Sequence, residues 1–398
     1  MTTGQDLRGT WVKHRWSLVV VLGALSAFGP LSIDFYLPGL PKLTSDFHAS
    51  ASAGQLTLTA CLLGLAFGQL AFGPLSDRLG RKTPLMGGLV AYCAASVACA
   101  VAPNIWALVG LRLVQGLAGA SGIVIARSVV RDLRSGVEAA RLFSILMLVL
   151  GVVPVLAPIL GGLLLHATSW RGLFVILGVV DAVILAAVVL WLPETLPAGR
   201  RHGSGDTAAG FLELLRDRYF LAYSVVLGLS FAAMFSYIAG SSFVLEDIHG
   251  ISTQVYGAIF GLNAFGIVLA SQLNRALVGR ASPDRMLLIG VAAGTAGGVG
   301  LAAVVLAGIG VAGILPCLFV VVSSLGFVIP NASALALTDY PHAAGSASAL
   351  LGTLQFAFGG AAAPLVGIAG RGTAVPMGLL IGGFGVSSML ALVFARRL

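Results

Sequence analysis

Two apolar runs joined by a short basic stretch make up residues 54–102, which read GQLTLTACLLGLAFGQLAFGPLSDRLGRKTPLMGGLVAYCAASVACAVA. Each run, 54–74 and 84–102, has about the 20 residues that a helix needs to cross a bilayer. The same pattern repeats along the chain and predicts twelve spans, which makes the fold an all-α polytopic membrane protein. The other ten spans lie at 17–37, 105–126, 142–165, 172–192, 219–244, 255–273, 286–307, 311–337, 345–369 and 374–395.

The composition of the chain excludes a water-soluble fold. Of the 398 residues, 58% are hydrophobic and only 10% are charged, whereas a soluble domain carries roughly 25% charged residues. The net charge is +8. Beside a pattern of membrane helices, this excess indicates basic cytoplasmic loops and does not indicate nucleic-acid binding.

Lysine and arginine fall mainly on one side of the predicted spans. With the N-terminus inside, 19 of the 23 basic residues lie in cytoplasmic segments, three lie outside, and Arg112 lies within a span. Because membrane proteins keep their basic loops in the cytoplasm, this bias sets the orientation. It predicts a multi-pass protein of the cytoplasmic (inner) membrane with both termini in the cytoplasm.

The longest polar break divides the predicted spans into two groups of six. It covers residues 193–218 and follows the sixth span. We therefore expect an N-terminal six-helix bundle at 1–192, a cytoplasmic linker at 193–218 and a C-terminal six-helix bundle at 219–398. A chain of this plan is typical of secondary transporters.

Three charged residues lie inside the spans, where each costs roughly 2.5–3.5 kcal/mol on insertion scales. Asp34 and Arg112 fall at similar depth, so the arginine side chain can bridge to the aspartate. Asp34 and Arg112 form a buried structural ion pair, or Asp34 is a carboxylate that simply faces water near the helix end, or the pair is a titratable site that carries a proton. Asp181 has no partner in the sequence, and it is either a neutral, hydrogen-bonded structural acid or a second protonation site.

The sequence holds no arrangement typical of an enzyme. The six histidines lie in loops or at span ends, and no Ser-His-Asp, H-E-x-x-H or paired-carboxylate arrangement is present. We therefore expect neither catalysis nor a metal site.

Two motif-like stretches occur in the first half: one crosses from the second span to the third, and the other lies within the fourth span. The first, GPLSDRLGRKTPLMGG at 73–88, resembles motif A of the major facilitator superfamily. The second, LRLVQGLAGASG at 111–122, is similar to motif B of that superfamily. The matching residues are Gly73, Asp77, Arg78, Gly80 and Arg81 in motif A, and Arg112, Gln115 and Gly116 in motif B.

Further stretches extend the resemblance along nearly the whole chain. GVVPVLAPILGG at 151–162 resembles the antiporter motif C, and DFYLPGLP at 34–41 matches the first-span motif of twelve-span drug/proton antiporters. RSVVRDL at 127–133, PET at 193–195 and AGSASALLGTLQF at 344–356 resemble the bicyclomycin/chloramphenicol-resistance (Bcr/CflA) subfamily. The motif C positions are Gly151, Pro154, Pro158, Gly161 and Gly162.

The resemblance implies two six-helix bundles that rock around a central cavity. It implies efflux of small hydrophobic drugs, such as chloramphenicol- or bicyclomycin-like antibiotics, with the proton as coupling ion and no other cofactor. Asp34 and Arg112 carry over as the coupling pair, and Asp77, Arg78 and Arg81 carry over as a cytoplasmic latch. The motif C residues carry over as a kinked, closely packed interface helix. We expect a monomer in the lipid bilayer.

Drug contacts in such a cavity should be apolar and aromatic, with few polar groups. Each aromatic candidate can equally be an ordinary packing or lipid-facing residue. Three other functions stay open: a nutrient uniporter or importer, an exporter of a sugar or amino-acid metabolite, and a membrane-embedded enzyme or non-transporting receptor. The candidates for substrate contact are Tyr36, Phe231, Phe235, Tyr237, Asn331 and Gln355.

Overall fold

The structure is a computed structural model of the chain. It describes residues 15–133, 136–196, 213–278, 280–338, 340, 344–368 and 372–397. These ranges are almost entirely helical and contain no β-strand. The residues before the linker, 15–196, are called the N-terminal part, and residues 213–397 are called the C-terminal part.

The N-terminal part contains eight α-helices. A 3₁₀ turn at Leu37–Gly39 joins the second helix to the third. The helices are α1 (Arg15–Ser26), α2 (Phe28–Asp34), α3 (Leu40–Asp46), α4 (Ala51–Leu79), α5 (Lys82–Ala100), α6 (Ile105–Leu133), α7 (Gly136–Leu164) and α8 (Trp170–Trp191).

Among its described residues, the C-terminal part has six long α-helices. A π-helix at Phe243–Ile248 extends the first of them, and a 3₁₀ segment at Ala363–Gly367 follows the fifth. The helices are α9 (Arg218–Ser242), α10 (Thr253–Leu277), α11 (Pro283–Leu306), α12 (Val311–Ala336), α13 (Ala344–Ala362) and α14 (Val375–Ala395).

Most of these helices are long and apolar enough to cross a membrane. Among the described residues, ten helices qualify singly, and the bent pair Ser17–Ser26 and Phe28–Asp46 adds an eleventh span. In α7, the described apolar stretch is the shorter Val152–Leu164. The sequence-based count of twelve spans therefore stays a prediction.

The first span differs from its expected course, 17–37. It bends by 44° after Ser26 and then continues to Asp46. Pro30 lacks the backbone N–H that would bond to the Ser26 carbonyl, which explains a break at this point. Pro38 and Pro41 do not end the chain's helical course, because each lies in the first turn of a new helical segment, where no N–H donor is needed.

The predicted loop of motif A begins later than its sequence indicates. Helix α4 runs through Pro74 to Leu79, so Gly73 lies inside the helix and does not form the turn. Gly80 alone makes the turn, with a φ of 91° that side-chain-bearing residues rarely adopt. The latch residues Asp77 and Arg78 are consequently presented from the last turns of a helix.

The helices have two ends, which we name by their loops. At the basic end, a loop connects α4 to α5, and α8 ends there. At the far end, α3 is followed by α4. One buried apolar cluster at the far end contains residues of both parts of the chain, such as Tyr36 and Tyr237. Toward the basic end, the buried residues form two separate clusters, one within each part. Among the described residues, the two parts are therefore packed together at the far end and separated at the basic end.

Polar side chains of α4 tie the two parts together at the far end. Ser52, Gln55 and Thr59 lie at helical spacing and donate to backbone carbonyl oxygens of the C-terminal part. The acceptors are the carbonyls of Pro364 at 3.1 Å, Ala239 at 3.1 Å and Gly360 at 2.8 Å.

Helices α7 and α10 form a second contact between the parts. A Cβ atom added at Gly257 would lie 3.0 Å from the carbonyl oxygen of Pro158, and one added at Gly162 would lie 3.0 Å from the carbonyl oxygen of Thr253. Small residues let the two backbones approach this closely.

Candidate functional site

A cavity of about 460 Å³ lies between the two parts, and residues of both parts line it. Its walls are mainly apolar and aromatic, and a few polar groups interrupt them. The polar lining residues are Asp34, Gln69, Arg127, Tyr237, Ser333 and Gln355. The aromatic ones besides Tyr237 are Phe231, Phe235, Phe260 and Phe356.

Asp34 is the charged residue that α2 presents to this cavity. The residue is only 5% exposed, and it makes no hydrogen bond or ion pair with any residue that the structure describes. An ionised carboxylate in apolar surroundings is costly unless it binds a proton or a cation. Asp34 therefore faces the cavity as a carboxylate that can bind a proton or a cation.

Arg112 does not form the expected ion pair with Asp34. The arginine is fully buried, and its guanidinium donates to the carbonyl oxygen of Ser32 at 2.6 Å and to Gln115 at 2.5 Å. It also stacks 4.5 Å from the ring centroid of Tyr36. Ser32 and Asp34 are two residues apart, so their side chains point roughly 200° apart around a helix. Because the Ser32 hydroxyl contacts Tyr92 of α5, Asp34 lies on the face of α2 that is turned away from α5, toward the cavity.

The Arg112 bonds belong to a polar network inside the N-terminal part. Gln115 donates to Ser96 of α5 at 2.7 Å, and the Ser32 and Tyr92 hydroxyls lie 2.6 Å apart. The network thus joins α2, α5 and α6. Gly116 of motif B supports the same region, because a Cβ atom there would lie 2.1 Å from the Cys61 carbonyl oxygen of α4.

Asp181 lies outside the cavity. It is fully buried in α8, one turn from Gly178, which packs near Cys93 of α5. Neither carboxylate oxygen has a hydrogen-bond partner among the described residues. Asp181 is therefore a buried acid outside the cavity lining, without the hydrogen bonds expected of a structural acid among the described residues.

Four of the six predicted substrate contacts line the cavity: Phe231, Phe235, Tyr237 and Gln355. The Tyr237 hydroxyl accepts a 3.0 Å bond from Asn263, and its ring stacks on Phe260 with centroids 5.4 Å apart. These contacts hold the tyrosine at the wall.

The other two predicted substrate contacts, Tyr36 and Asn331, do not line this cavity. Tyr36 is fully buried beneath Arg112, and its hydroxyl lies 2.9 Å from the Thr57 hydroxyl. Asn331 donates to Asn274 at 2.6 Å, so it joins α12 to α10 outside the lining. Both polar groups are used for packing helices together.

Several lining residues were missed by the sequence interpretation. Gln69 is a polar residue in the middle of an apolar span, which is a signal that could have identified it. Arg127 lies just beyond the end of a predicted span, and it was interpreted through orientation and the RSVVRDL resemblance, not as a cavity residue. Phe260 and Phe356 carry no sequence signal that separates them from ordinary packing residues.

Arg81 is the centre of a polar cluster at the basic end. Its guanidinium donates to Asp132 at 2.8 Å, to Asp77 at 2.5 Å and to Ser76 at 2.8 Å. Burial opposes the charged form of Arg81, but the bonds to Asp132 and Asp77 outweigh it and raise the pKa of Arg81 above its ordinary value. Arg78 is exposed and makes no bond to any described residue.

Glu194 attaches the end of α8 to this cluster. Its carboxylate accepts from the backbone N–H groups of Arg81 at 2.8 Å and Lys82 at 3.1 Å, where α5 begins. An anion at a helix N-terminus is stabilised by the helix dipole. Thr195 donates to Asp132 at 3.0 Å. The stretches RSVVRDL and PET therefore converge on motif A within the N-terminal part.

The motif C residues lie on α7 as expected. Pro154 lines the cavity, and a Cβ atom at Gly161 would lie 2.0 Å from the Phe35 carbonyl oxygen. Pro158 and Gly162 face α10 in the contact described above. Gly151 lies in α7, outside the residues whose surroundings the structure describes.

Comparisons with known proteins agree with this fold and cavity. The Major Facilitator Superfamily profile matches residues 20–364, so the chain belongs to that superfamily. The chain's fold matches a crystal structure of a nucleoside transporter with a TM-score of 0.76 at 14% identity, over 95% of this chain and 99% of that one.

Curated relatives place the chain more narrowly. An uncharacterized MFS-type transporter of Bacillus subtilis is 38% identical, with 93% of this chain and 92% of the relative covered. A bicyclomycin resistance protein homolog of Haemophilus influenzae is 30% identical over 96% of both chains. A chloramphenicol resistance protein of Pseudomonas aeruginosa is 28% identical, with 86% of this chain and 81% of the relative covered. These relatives confirm the resemblance to the Bcr/CflA subfamily of drug antiporters.

Proposed function

We propose that this chain is a proton-coupled exporter of small hydrophobic drugs, of the kind represented by chloramphenicol and bicyclomycin. The observation that carries the proposal is the carboxylate of Asp34, which has no partner among the described residues, in an aromatic cavity between the two parts. The relatives named for resistance to these two antibiotics support the choice of substrate class.

The proposal includes twelve spans in two bundles, with the basic end in the cytoplasm of a bacterial cell. In this orientation, the far end is the outer gate, and the side chains of Ser52, Gln55 and Thr59 hold it closed. The separated clusters at the basic end then correspond to an inward-facing state. Substrate enters from the cytoplasm or from the inner leaflet of the membrane.

Asp34 is the proton carrier in this mechanism. In the outward-facing state, it takes a proton from outside, which removes the cost of a bare charge between the closing halves. In the inward-facing state, substrate binding displaces the proton to the cytoplasm, and the loaded protein returns outward. Each proton that moves inward across 100 mV yields about 2.3 kcal/mol for accumulation of substrate outside.

Arg112 has a positioning role and does not exchange partners with Asp34. Its bond to the Ser32 carbonyl fixes the rotation of α2, and that rotation directs Asp34 into the cavity. Substrate is held by the aromatic walls, while Gln355 and Tyr237 offer hydrogen bonds from the C-terminal part.

Proton release from purified protein tests this function. Detergent-solubilised protein in weakly buffered solution receives chloramphenicol, bicyclomycin, a lipophilic cation or a sugar, and a pH indicator records protons released per protein. We expect release with a drug and none from Asp34→Asn. Release with the sugar alone, or equal release from Asp34→Asn, would overturn the proposal. The control is Glu213→Gln, which removes an exposed acid and should release protons as wild type does. Gln115→Glu is unsuitable as a control, because Gln115 contacts Arg112.

A further inference from the structure

A groove on the outer surface of the C-terminal part runs inward from the basic end. It encloses about 340 Å³ and is lined by Arg218, Leu221, Ala222 and Val225 of α9 together with Ala391 and Phe394 of α14. The four α9 residues recur every three or four positions, so they share one face over about 10 Å of helix. Ala222 and Ala391 provide the depression, because their side chains are small.

Arg218 stands at the mouth of this groove. It is exposed and makes no hydrogen bond or ion pair with any residue in the described ranges. The adjacent Asp217 does not neutralise it directly. That carboxylate accepts from the backbone N–H groups of Tyr219 and Phe220 and from the Tyr340 hydroxyl at 3.0 Å.

Other charges near the mouth leave an excess of arginine. Arg396 is paired with Asp284, and Glu213 is exposed one turn before Arg218. Arg216 and Arg397 are exposed and unpaired within the described part of the chain. The arginine at the mouth therefore has an unsatisfied positive charge directly beside a strip of apolar surface.

We propose that this groove binds one anionic phospholipid, with its phosphate on Arg218 and an acyl chain along the apolar strip. A guanidinium is a bidentate donor that matches phosphate oxygens. The apolar lining lies deeper in the membrane than Arg218, which is the order of headgroup and acyl chain in a leaflet. A free phosphate would use the arginine but not the groove, so the occupant is the intact lipid.

Native mass spectrometry of the detergent-solubilised full chain tests this site. Binding of phosphatidylglycerol and of phosphatidylcholine is titrated for wild type, Arg218→Gln and Arg275→Gln. Arg275 is the matched control, because it is an exposed arginine at the same end with no partner among the described residues. One basic residue at a membrane surface contributes about 1 kcal/mol, so Arg218→Gln should weaken phosphatidylglycerol binding roughly fivefold.

The remaining outcomes separate the lipid site from general charge effects. Arg275→Gln should leave phosphatidylglycerol binding unchanged, and phosphatidylcholine should be insensitive to both changes. Ala391→Phe fills the groove and should weaken binding of both lipids, while thermal unfolding without lipid confirms that each variant is folded. Unchanged phosphatidylglycerol binding in Arg218→Gln, or an equal loss in Arg275→Gln, would overturn the proposal.

Discussion

Arg112 donates a 2.6 Å hydrogen bond to the backbone carbonyl of Ser32, two residues before Asp34 on the same short helix. The arginine therefore holds the helix that carries the aspartate and does not hold the aspartate itself. This relationship separates two roles that the motif resemblance combines in one pair. The carboxylate is available to the cavity, and the guanidinium is confined to the interior of the N-terminal part.

The first prediction concerns the separate roles of Arg112 and Asp34. Arg112→Lys should lower the free energy of unfolding by roughly 1–3 kcal/mol, because the Ser32 and Gln115 oxygens lose a buried donor. Asp34→Asn should not lower it, because Asp34 has no partner to lose. In the double variant, the two effects should add within about 0.5 kcal/mol, as for independent sites. Thermal or denaturant unfolding in detergent measures all three. A coupling well above that limit would show that the two side chains interact after all.

The second prediction concerns Asp181. Asp181→Leu should raise the free energy of unfolding by roughly 1–3 kcal/mol, because it removes two buried oxygens that have no partner. Drug transport driven by a pH gradient should persist. Ser96→Ala is the contrasting control, because Ser96 accepts a bond from Gln115 and its loss should destabilise. If Asp181→Leu stays folded but loses its response to the pH gradient, Asp181 is a second proton site.

The third prediction concerns the polar cluster at the basic end. Arg81→Gln should lower the free energy of unfolding by roughly 3 kcal/mol, because it leaves the carboxylate of Asp132 without its buried partner. Arg78→Gln, one turn away and exposed, should have almost no effect. Unfolding of the three proteins in the same detergent gives the comparison. Equal losses from the two substitutions would contradict the assigned role of Arg81.

The fourth prediction is the pH dependence of that same effect. The pKa of Arg81 is raised in the folded protein. Its contribution to the free energy of unfolding is therefore complete below the pKa of the unfolded state, and it is lost only as the pH rises through the pKa of the folded state. The stability difference between wild type and Arg81→Gln should therefore stay constant between about pH 7 and pH 10. A difference that shrinks within this window would mean that another group controls the cluster.

The fifth prediction concerns closure of the far end. Gly257→Val places side-chain atoms against the backbone of Pro158 and Ile159, and should force α10 away from α7. Spin labels at residues 42 and 368, on the two parts at the far end, should then move apart. They are measured by pulsed electron resonance in a background without the four native cysteines. Gly383→Val in α14, which meets nothing within 4 Å, is the control and should leave the distance unchanged. An equal distance in all three proteins would mean that the α7–α10 contact does not help to close the far end.

The sequence was sufficient to predict nearly all of the helices and several residues of the cavity wall. Apolar runs predicted nearly every helix, because membrane spans need length and hydropathy more than specific contacts. The first span was predicted less well. Its bend and its extension to Asp46 depend on which carbonyls lose donors near Pro30 and on packing of α3, and neither follows from hydropathy.

The site was less predictable than the fold. The depth of Asp34 and Arg112 was readable from their places in the spans, but the direction of each side chain was not. Depth alone suggested a pair, but Asp34 faces the cavity while Arg112 bonds to the Ser32 carbonyl inside the N-terminal part. The sequence did not show that Tyr36 and Asn331 point away from the cavity, and Phe260 and Phe356 could be found only from the assembled cavity.

Transport in proteoliposomes tests the role of Asp34 most directly. Wild type and Asp34→Asn are compared in two assays: drug uptake driven by an imposed pH gradient, and exchange of labelled for unlabelled drug without a gradient. We predict that Asp34→Asn loses the response to the gradient and keeps exchange, because its cavity and gates are intact. If Asp34→Asn still accumulates drug when only a pH gradient is imposed, the proton is carried elsewhere and this mechanism is wrong.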